Sequence, residues 1–250
     1  MPNLSQIEID ITYECNLKCI NCNRSSTQAP TKEGMTLEQI QRFVQESIEL
    51  NKKWKLINLL GGEPTIHKDF SEIVRLILEE YIIEYSPETI LQITSNGFGE
   101  LVQTRLAQLP VHENLIIDYA SFKDERKVPY FSPFNDAPVD KENSQENEYY
   151  KGCWVTSYCG IGLNQLGYYP CGVAGGIDRV FKFNLGVPSL KNVDESIAKY
   201  LDTFCRYCGN FTDYEKNAGN FIPRNEKAAL TKPVISEIWK QAYKQYNGKK

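Results

Sequence analysis

Residues 7–22 read IEIDITYECNLKCINC, and this stretch decides how the rest of the chain is interpreted. Apolar and charged side chains alternate over residues 7–11, which predicts a β-strand with one buried face. Cys15, Cys19 and Cys22 follow at once, so all three thiols lie in one short loop at the carboxyl end of that strand. Thiols grouped so closely indicate a metal or iron–sulfur site.

The composition is that of an ordinary globular protein. Hydrophobic residues make up 41% of the 250-residue chain and charged residues 24%, so the chain can bury a core without disulfides. The net charge of −4 argues against a nucleic-acid partner, because phosphate binding needs a basic face. Residues 1–14 lack the pattern of a signal peptide, and no apolar run is long enough to span a membrane. We therefore expect a cytoplasmic protein, whose eight cysteines stay reduced and need another explanation than disulfides.

Further strands and helices alternate along the chain as far as residue 120. Alternation of this kind implies parallel strands joined by right-handed crossovers, which is an α/β fold. In such sheets, the turns after the strands meet at one edge, where ligands bind. The predicted strands are 7–11, 56–60, 90–94 and 114–120, and the predicted helices are 37–51, 70–81 and 100–108.

The cysteine loop is similar to the signature of the radical S-adenosylmethionine (SAM) superfamily, and Gly61-Gly62-Glu63-Pro64 resembles that family's motif after the second strand. The resemblance implies a partial (β/α)6 barrel with a parallel sheet. It also implies a [4Fe–4S] cluster on the three thiols, with one iron left open for SAM. In the family, the turn at Gly61–Pro64 contacts the amino group of SAM. The glycines let backbone carbonyls approach it, and Glu63 supplies the opposite charge.

Three further residues match positions that contact SAM in this family. Ser95 and Asn96, after the third strand, correspond to the turn near the adenosyl moiety, and Ser121 corresponds to a ribose contact. The family commonly has an aromatic residue before the third cysteine, where this chain has Asn21. From the residues alone, zinc binding by the three cysteines stays an alternative.

A second group of cysteines lies in the C-terminal half. A site with four ligands leaves one of the five without a role. Their arrangement resembles the twitch extension, a shortened SPASM domain with one auxiliary [4Fe–4S] cluster, and is most similar to that of the 2-deoxy-scyllo-inosamine dehydrogenases. On that resemblance the ligands are Cys153, Cys171, Cys205 and Cys208. Two alternatives stay open: Cys159 in place of Cys153, and structural zinc in place of the cluster.

The expected organisation has three parts. Residues 1–122 form the radical SAM core, and residues 123–151 connect it to the rest and contribute to the substrate pocket. Residues 152–250 form the extension for the auxiliary cluster, with a hairpin at 161–170 and a terminal amphipathic helix at 234–246.

The resemblance implies an enzyme that cleaves SAM to a 5'-deoxyadenosyl radical, which takes a hydrogen atom from a small-molecule substrate. Two clusters favour an oxidoreductase that dehydrogenates this substrate, and Lys123, Asp118 and Arg179 are candidates for the base. A reducing partner such as flavodoxin or ferredoxin and a monomer or weak homodimer are expected. The alternatives are an enzyme that modifies peptides or proteins, and a non-catalytic iron–sulfur or zinc protein that scaffolds a partner or carries electrons.

Overall fold

The computed structural model describes residues 1–119, 122–123, 133–141, 148–211 and 234–248. Six strands are named in chain order: β1 (Gln6–Thr12), β2 (Leu56–Gly61), β3 (Ile90–Ile93), β4 (Leu115–Ile117), β5 (Ile161–Asn164) and β6 (Gly167–Tyr169). The α-helices are α1 (Leu37–Glu49), α2 (Phe70–Leu76), α3 (Glu100–Ala107), α4 (Trp154–Tyr158), α5 (Ala174–Phe181), α6 (Leu201–Cys205) and α7 (Glu237–Asn247). Short 3-10 helices cover Pro64–Ile66, Pro138–Asp140, Tyr149–Lys151, Leu190–Asn192 and Glu195–Tyr200.

The six strands form one sheet in the order β4-β3-β2-β1-β5-β6. The first five are parallel, and β6 runs antiparallel to β5. The predicted α/β fold with a mainly parallel sheet is confirmed. The sixth strand differs from a regular (β/α) unit because Gln165 and Leu166 alone connect it to β5, and a parallel crossover needs a dozen or more residues.

The predicted helices are present with small shifts at their ends. Thr36 caps α1 through a capping box, in which Gln39 bonds back to the Thr36 backbone. After Leu76, α2 continues as a π-helix over Ile77–Ile83, which the apolar spacing did not predict. Strand β4 is shorter than predicted, because its partner β3 ends at Ile93, opposite Ile117.

The sheet has one apolar face and one polar face. Ile7, Ile9 and Ile57 point to the side where α1, α2 and α3 pack, and they belong to one buried cluster. Register partners in parallel strands share a face, so Glu8 and Asn58 lie in one row on the opposite side. The sheet therefore presents polar side chains on the face that the three helices leave uncovered.

The hairpin of β5 and β6 belongs to this same sheet. Ile161 pairs with Ile7 and Leu163 with Ile9, so the hairpin lies beside the first strand of the chain. The two segments that carry the cysteine groups are distant in sequence, but both are attached to this one sheet. No helix within the described residues has the length and apolar character needed to cross a membrane.

Candidate active site

Cys15, Cys19 and Cys22 lie in the loop after β1, half-buried and with free thiols. Burial raises the pKa of the Cys15 thiol to about 11 and that of Cys19 to about 12. Neighbouring cysteines of the loop raise both pKa values further, so the three sulfurs influence one another electrostatically. The structure therefore brings the three predicted ligands into one locality.

Gly61 and Gly62 let the turn after β2 approach the chain that leads to Cys15. The Gly62 N–H donates to the Thr12 carbonyl oxygen at 2.7 Å, and the Glu63 N–H donates to the Glu14 carbonyl oxygen at 2.8 Å. An added Cβ on either glycine would lie 2.1 Å from one of these oxygens. The requirement for glycine therefore comes from this close backbone approach, a role that the sequence did not reveal.

The Glu63 carboxylate joins the turn after β2 to the turn after β3. Its Oε1 accepts from the Ser95 hydroxyl at 2.8 Å, and its Oε2 accepts from the Asn96 N–H at 2.7 Å. Oε1 also accepts from the N–H and the hydroxyl of Thr65, directly after Pro64, which begins a 3-10 turn. Glu63 is fully buried, so these bonds compensate for the loss of hydration of its charge.

Asn96 connects the turn after β3 to the cysteine loop. Its side-chain amide donates to the Cys15 sulfur at 3.8 Å and to the side-chain oxygen of Asn16 at 2.8 Å. The three strand-end segments that were predicted to meet thus form one hydrogen-bonded group.

Two of the three base candidates lie near this group. The Lys123 N–H donates to the Asn96 carbonyl oxygen at 2.7 Å, and the charge of Lys123 partly offsets the raised pKa values of Cys15 and Cys19. The Asp118 N–H donates to the Ile93 carbonyl oxygen at 2.9 Å, which places it at the end of β4. Ser121, the predicted ribose contact, lies outside the described residues.

Arg179, the third candidate, lies within α5 and is buried. Its guanidinium donates to the Ala29 carbonyl oxygen and the Tyr246 hydroxyl, both at 2.8 Å, and lies 4.3 Å from the centre of the Tyr13 ring. A guanidinium stays protonated in proteins, and here it holds the segment that follows the cysteine loop. The position of Arg179 is therefore that of a residue that stabilises the packing, and it does not fit the role of a base.

Four cysteines of the second group share one buried cluster. Burial raises the pKa of Cys171 to about 12, and the nearby Cys153 raises it further. Burial likewise raises the pKa of Cys205 and of Cys208, each with added effects from the other thiols of the set. The structure thus brings together the four thiols that the resemblance assigned.

Cys159 has different surroundings. Burial raises the pKa of its thiol, and so does the charge of Glu8, whose carboxylate accepts a hydrogen bond from it. Glu8 also lies against Gly172, where an added Cβ would be 1.8 Å from its Oε2. Within the described ranges, no three His, Cys, Asp or Glu side chains, at either cysteine group, converge closely enough to hold a single metal ion.

A buried ion triad beside the site was not predicted. Arg24 donates to Glu8 at 2.6 Å and to Asp10 at 2.9 Å; Arg24 and Asp10 are buried, and Glu8 is partly buried. The Tyr13 hydroxyl donates to the other oxygen of Asp10 at 3.1 Å. The only indication in the sequence was that Glu8 and Asp10 are two residues apart in the alternating strand and therefore lie on the same face of β1.

The donor set fits an iron–sulfur cluster at both positions. Thiolates are the ligands that such clusters take, and each group supplies them from short segments at the ends of secondary-structure elements. Cys15, Cys19 and Cys22 would hold a cluster with one open iron. A fully ligated second cluster would use Cys153, Cys171, Cys205 and Cys208.

Comparison with known proteins locates one domain. Residues 9–111 match the model of the Radical SAM superfamily. A protein of Pyrococcus horikoshii named "probable GTP 3',8-cyclase" is 38% identical over 94 residues, which are 38% of this chain and 27% of that protein. A protein of Thermococcus kodakarensis with the same name is 34% identical over 94 residues, or 38% of this chain and 28% of the relative. The chain thus matches little more than a quarter of the length of these relatives.

Among solved structures, a crystal structure of BtrN in an open conformation aligns with 87% of this chain and 93% of its own, with a TM-score of 0.48 and 18% sequence identity. The family model and the names of the sequence relatives both describe enzymes. The segment that matches the family model ends at residue 111, well before the second cysteine group.

Proposed function

We propose, from the premise that residues 9–111 of this chain are a radical SAM domain, that the chain reductively cleaves SAM and uses the resulting radical on a small polar molecule. One observation carries this proposal. The cysteine loop, the Gly61–Pro64 turn and the Ser95–Gly97 turn are joined by hydrogen bonds through Glu63 and Asn96.

The chain's own groups would orient SAM at this edge of the sheet. Cys15, Cys19 and Cys22 would hold the first cluster, which would supply the electron that breaks a carbon–sulfur bond of SAM. The backbone carbonyls at Gly61 and Gly62 would approach the ammonium of SAM, and the buried Glu63 carboxylate, whose Oε2 accepts from the Asn96 N–H, would fix the turn and supply the opposite charge. Ser95 and Asn96 hold this carboxylate in place from the neighbouring turn.

An auxiliary cluster on Cys153, Cys171, Cys205 and Cys208 is the second part of the proposal. These four thiols are buried in one hydrophobic cluster, whereas Cys159 is only partly buried and bonds to Glu8. Cys159 packs against this cluster from its edge, but Cys153 is the thiol that raises the pKa of all three others in the set, which supports Cys153 as the ligand.

The polar side chains on the face of the sheet opposite α1, α2 and α3 support a polar substrate. Gln92 donates to Thr94 at 3.1 Å, and Thr94 donates to Asn58 at 2.9 Å, which gives a row of groups able to bind hydroxyls or amines. Two-electron oxidation of such a molecule releases one hydrogen atom, one electron and one proton. The radical would take the atom, the auxiliary cluster would take the electron, and the Asp118 carboxylate would take the proton.

The relatives named as cyclases leave the substrate open, because their similarity extends over only 94 residues of this chain and 27% of the length of the first relative. A flavodoxin- or ferredoxin-like protein would supply the electron. Cleavage of SAM is therefore the part of the proposal to test first, before the choice of substrate.

The experiment is anaerobic reconstitution with iron and sulfide, followed by iron counting and a SAM-cleavage assay with a chemical reductant. We expect about eight irons per chain and release of 5'-deoxyadenosine. The triple variant C15A/C19A/C22A should retain about half of the iron and cleave no SAM. The matched variant C159A should keep all of the iron, and C153A should lose the auxiliary cluster.

Zinc in place of iron, or iron without cleavage, would contradict the main proposal. Four irons with intact cleavage would remove only the auxiliary cluster. Loss of iron in C159A but not in C153A would show that the ligand assignment is wrong.

A further inference from the structure

The terminal helix α7 contacts the first cysteine loop from one side. The Tyr243 hydroxyl lies 2.9 Å from the Ser25 hydroxyl, three residues after Cys22. Ser25 is fully buried and has a positive φ of 55°, a conformation that a non-glycine residue keeps only when its surroundings hold it. Further along the helix, the Asn247 amide donates to the Gln28 carbonyl oxygen at 3.0 Å.

Asn21 gives the same loop a second connection to the C-terminal segment. Its side-chain oxygen accepts from the Val234 N–H at 3.3 Å, just before α7 begins. Asn21 stands between Cys19 and Cys22 and is buried. An aromatic side chain at this position could not accept this bond.

The same helix also holds the second cysteine group. The Trp239 indole N–H donates to the Tyr207 carbonyl oxygen at 2.7 Å, and Tyr207 lies between Cys205 and Cys208. Trp239 is fully buried, and its ring lies 5.1 Å from that of Tyr243, one turn away. One buried face of one helix therefore contacts both loops.

We propose that the segment Val234–Asn247 is a clasp that sets the positions of both cysteine loops, with Asn21, Trp239 and Tyr243 as positioning residues. The proposal rests on the proposed function only in that it takes these loops as the cluster loops. Because an α-helix is stiff over three turns, its contacts with the two loops fix the position of each loop relative to the same rigid element. Neither loop depends on the clasp for ligands, so the cysteines themselves stay unchanged.

The test uses hydrogen exchange in the apo-protein, which needs no bound cluster. Y243F removes one hydroxyl and keeps the ring, so exchange of amides in residues 19–28 should rise about fivefold, the effect of one lost hydrogen bond. W239F should likewise raise the exchange of amides in residues 203–208. The exposed position Lys244 on the same helix offers the matched control K244Q, which should leave both loops as they are.

The contact between Tyr243 and Ser25 is tested from its other end, by a change at Ser25. S25A removes the same hydrogen bond from its other end, so the double variant S25A/Y243F should exchange no faster at residues 19–28 than either single variant. If exchange in the double variant rises by the product of the two single effects, the contact is overturned. Unchanged exchange at residues 19–28 in Y243F would overturn it as well. A rise in Y243F that is equal throughout the chain would show general destabilisation and would also overturn the clasp.

A second measurement separates this inference from the proposed function. If wild-type protein loads iron, Y243F should release it to a chelator several times faster than K244Q does. If wild-type protein binds no iron, the proposed function fails while the exchange result still decides the clasp.

Discussion

Glu63 is a single side chain on which two turns depend. Its two oxygens accept four hydrogen bonds and are fully buried, so the residue acts as an internal organiser before it meets any ligand. In E63Q, an amide N–H would face groups that are themselves donors, and at least one buried donor would lose its acceptor. We expect a loss of about 1–3 kcal/mol in the free energy of unfolding of the apo-protein, measured in urea.

The control for this prediction is E33Q, at an exposed glutamate with no side-chain hydrogen bond among those found in the described residues. That change should alter the free energy of unfolding by less than about 0.5 kcal/mol. Equal stability of E63Q and E33Q would contradict the organising role.

At this scale, the sequence revealed which residues matter better than what they do. The cysteines and the Gly61–Pro64 turn were found because their spacing after strands is a local pattern. Two of the partners of Glu63, Ser95 and Asn96, come from another turn, and the guanidinium of Arg179 donates to carbonyl groups about 150 residues earlier in the chain. Such partners depend on tertiary packing, which one-dimensional spacing does not contain.

At the scale of elements, Arg24 ties the segment after the first cysteine loop to strand β1. It bonds to Glu8 and Asp10, and burial raises the pKa of Asp10 despite the opposing effect of the Arg24 charge. R24M would keep most of the volume but leave the buried carboxylate of Asp10 and the partly buried one of Glu8 without a cation. Breaking a buried ion group in this way costs about 3–5 kcal/mol, which we expect in the free energy of unfolding.

The triple variant R24M/E8Q/D10N removes the charges together and is the control. It should recover a large part of the stability lost by R24M, because no isolated charge is left in the interior. If thermal and urea unfolding place the triple variant at or below R24M, the loss comes from packing instead of charge.

Elements were predictable where one physical rule decides them. Apolar periodicity and the Thr36 cap place α1 correctly, and alternation places β1, because both rules act within a few residues. The π-helical continuation of α2 and the docking of α7 on both cysteine loops follow from contacts with distant segments. The pattern of the terminal helix predicted an apolar face but not what that face covers.

At the scale of the whole molecule, buried thiols make the apo-protein sensitive to alkali. The pKa of Cys171 is raised by burial to about 12 in the folded state, above the ordinary value of a thiol near 8.5–9. Its contribution to stability is therefore complete below pH about 9 and is lost as the pH rises toward 12. We expect the free energy of unfolding to fall over this range by up to about 1.4 kcal/mol per pH unit for this one group.

Other groups titrate in the same range, so the measurement is the difference between wild-type apo-protein and C171S. The variant lacks this thiol, and its stability should decline less steeply between pH 9 and pH 12. Parallel curves for the two proteins would show that the Cys171 thiol does not carry the effect.

The position of β1 within the sheet has a consequence for how the chain is made. Ile7, in the first strand, pairs with Ile161, so one edge of β1 lacks its partner until the hairpin has left the ribosome. Pairing between segments so distant in sequence is slow, because a long loop must close before the contact is gained. During synthesis, a strand with an open edge and three reactive thiols beside it is exposed to wrong pairing and to oxidation. Assistance from chaperones and protection of the thiols from oxidation would thus matter most until the hairpin, which ends at Tyr169, has left the ribosome.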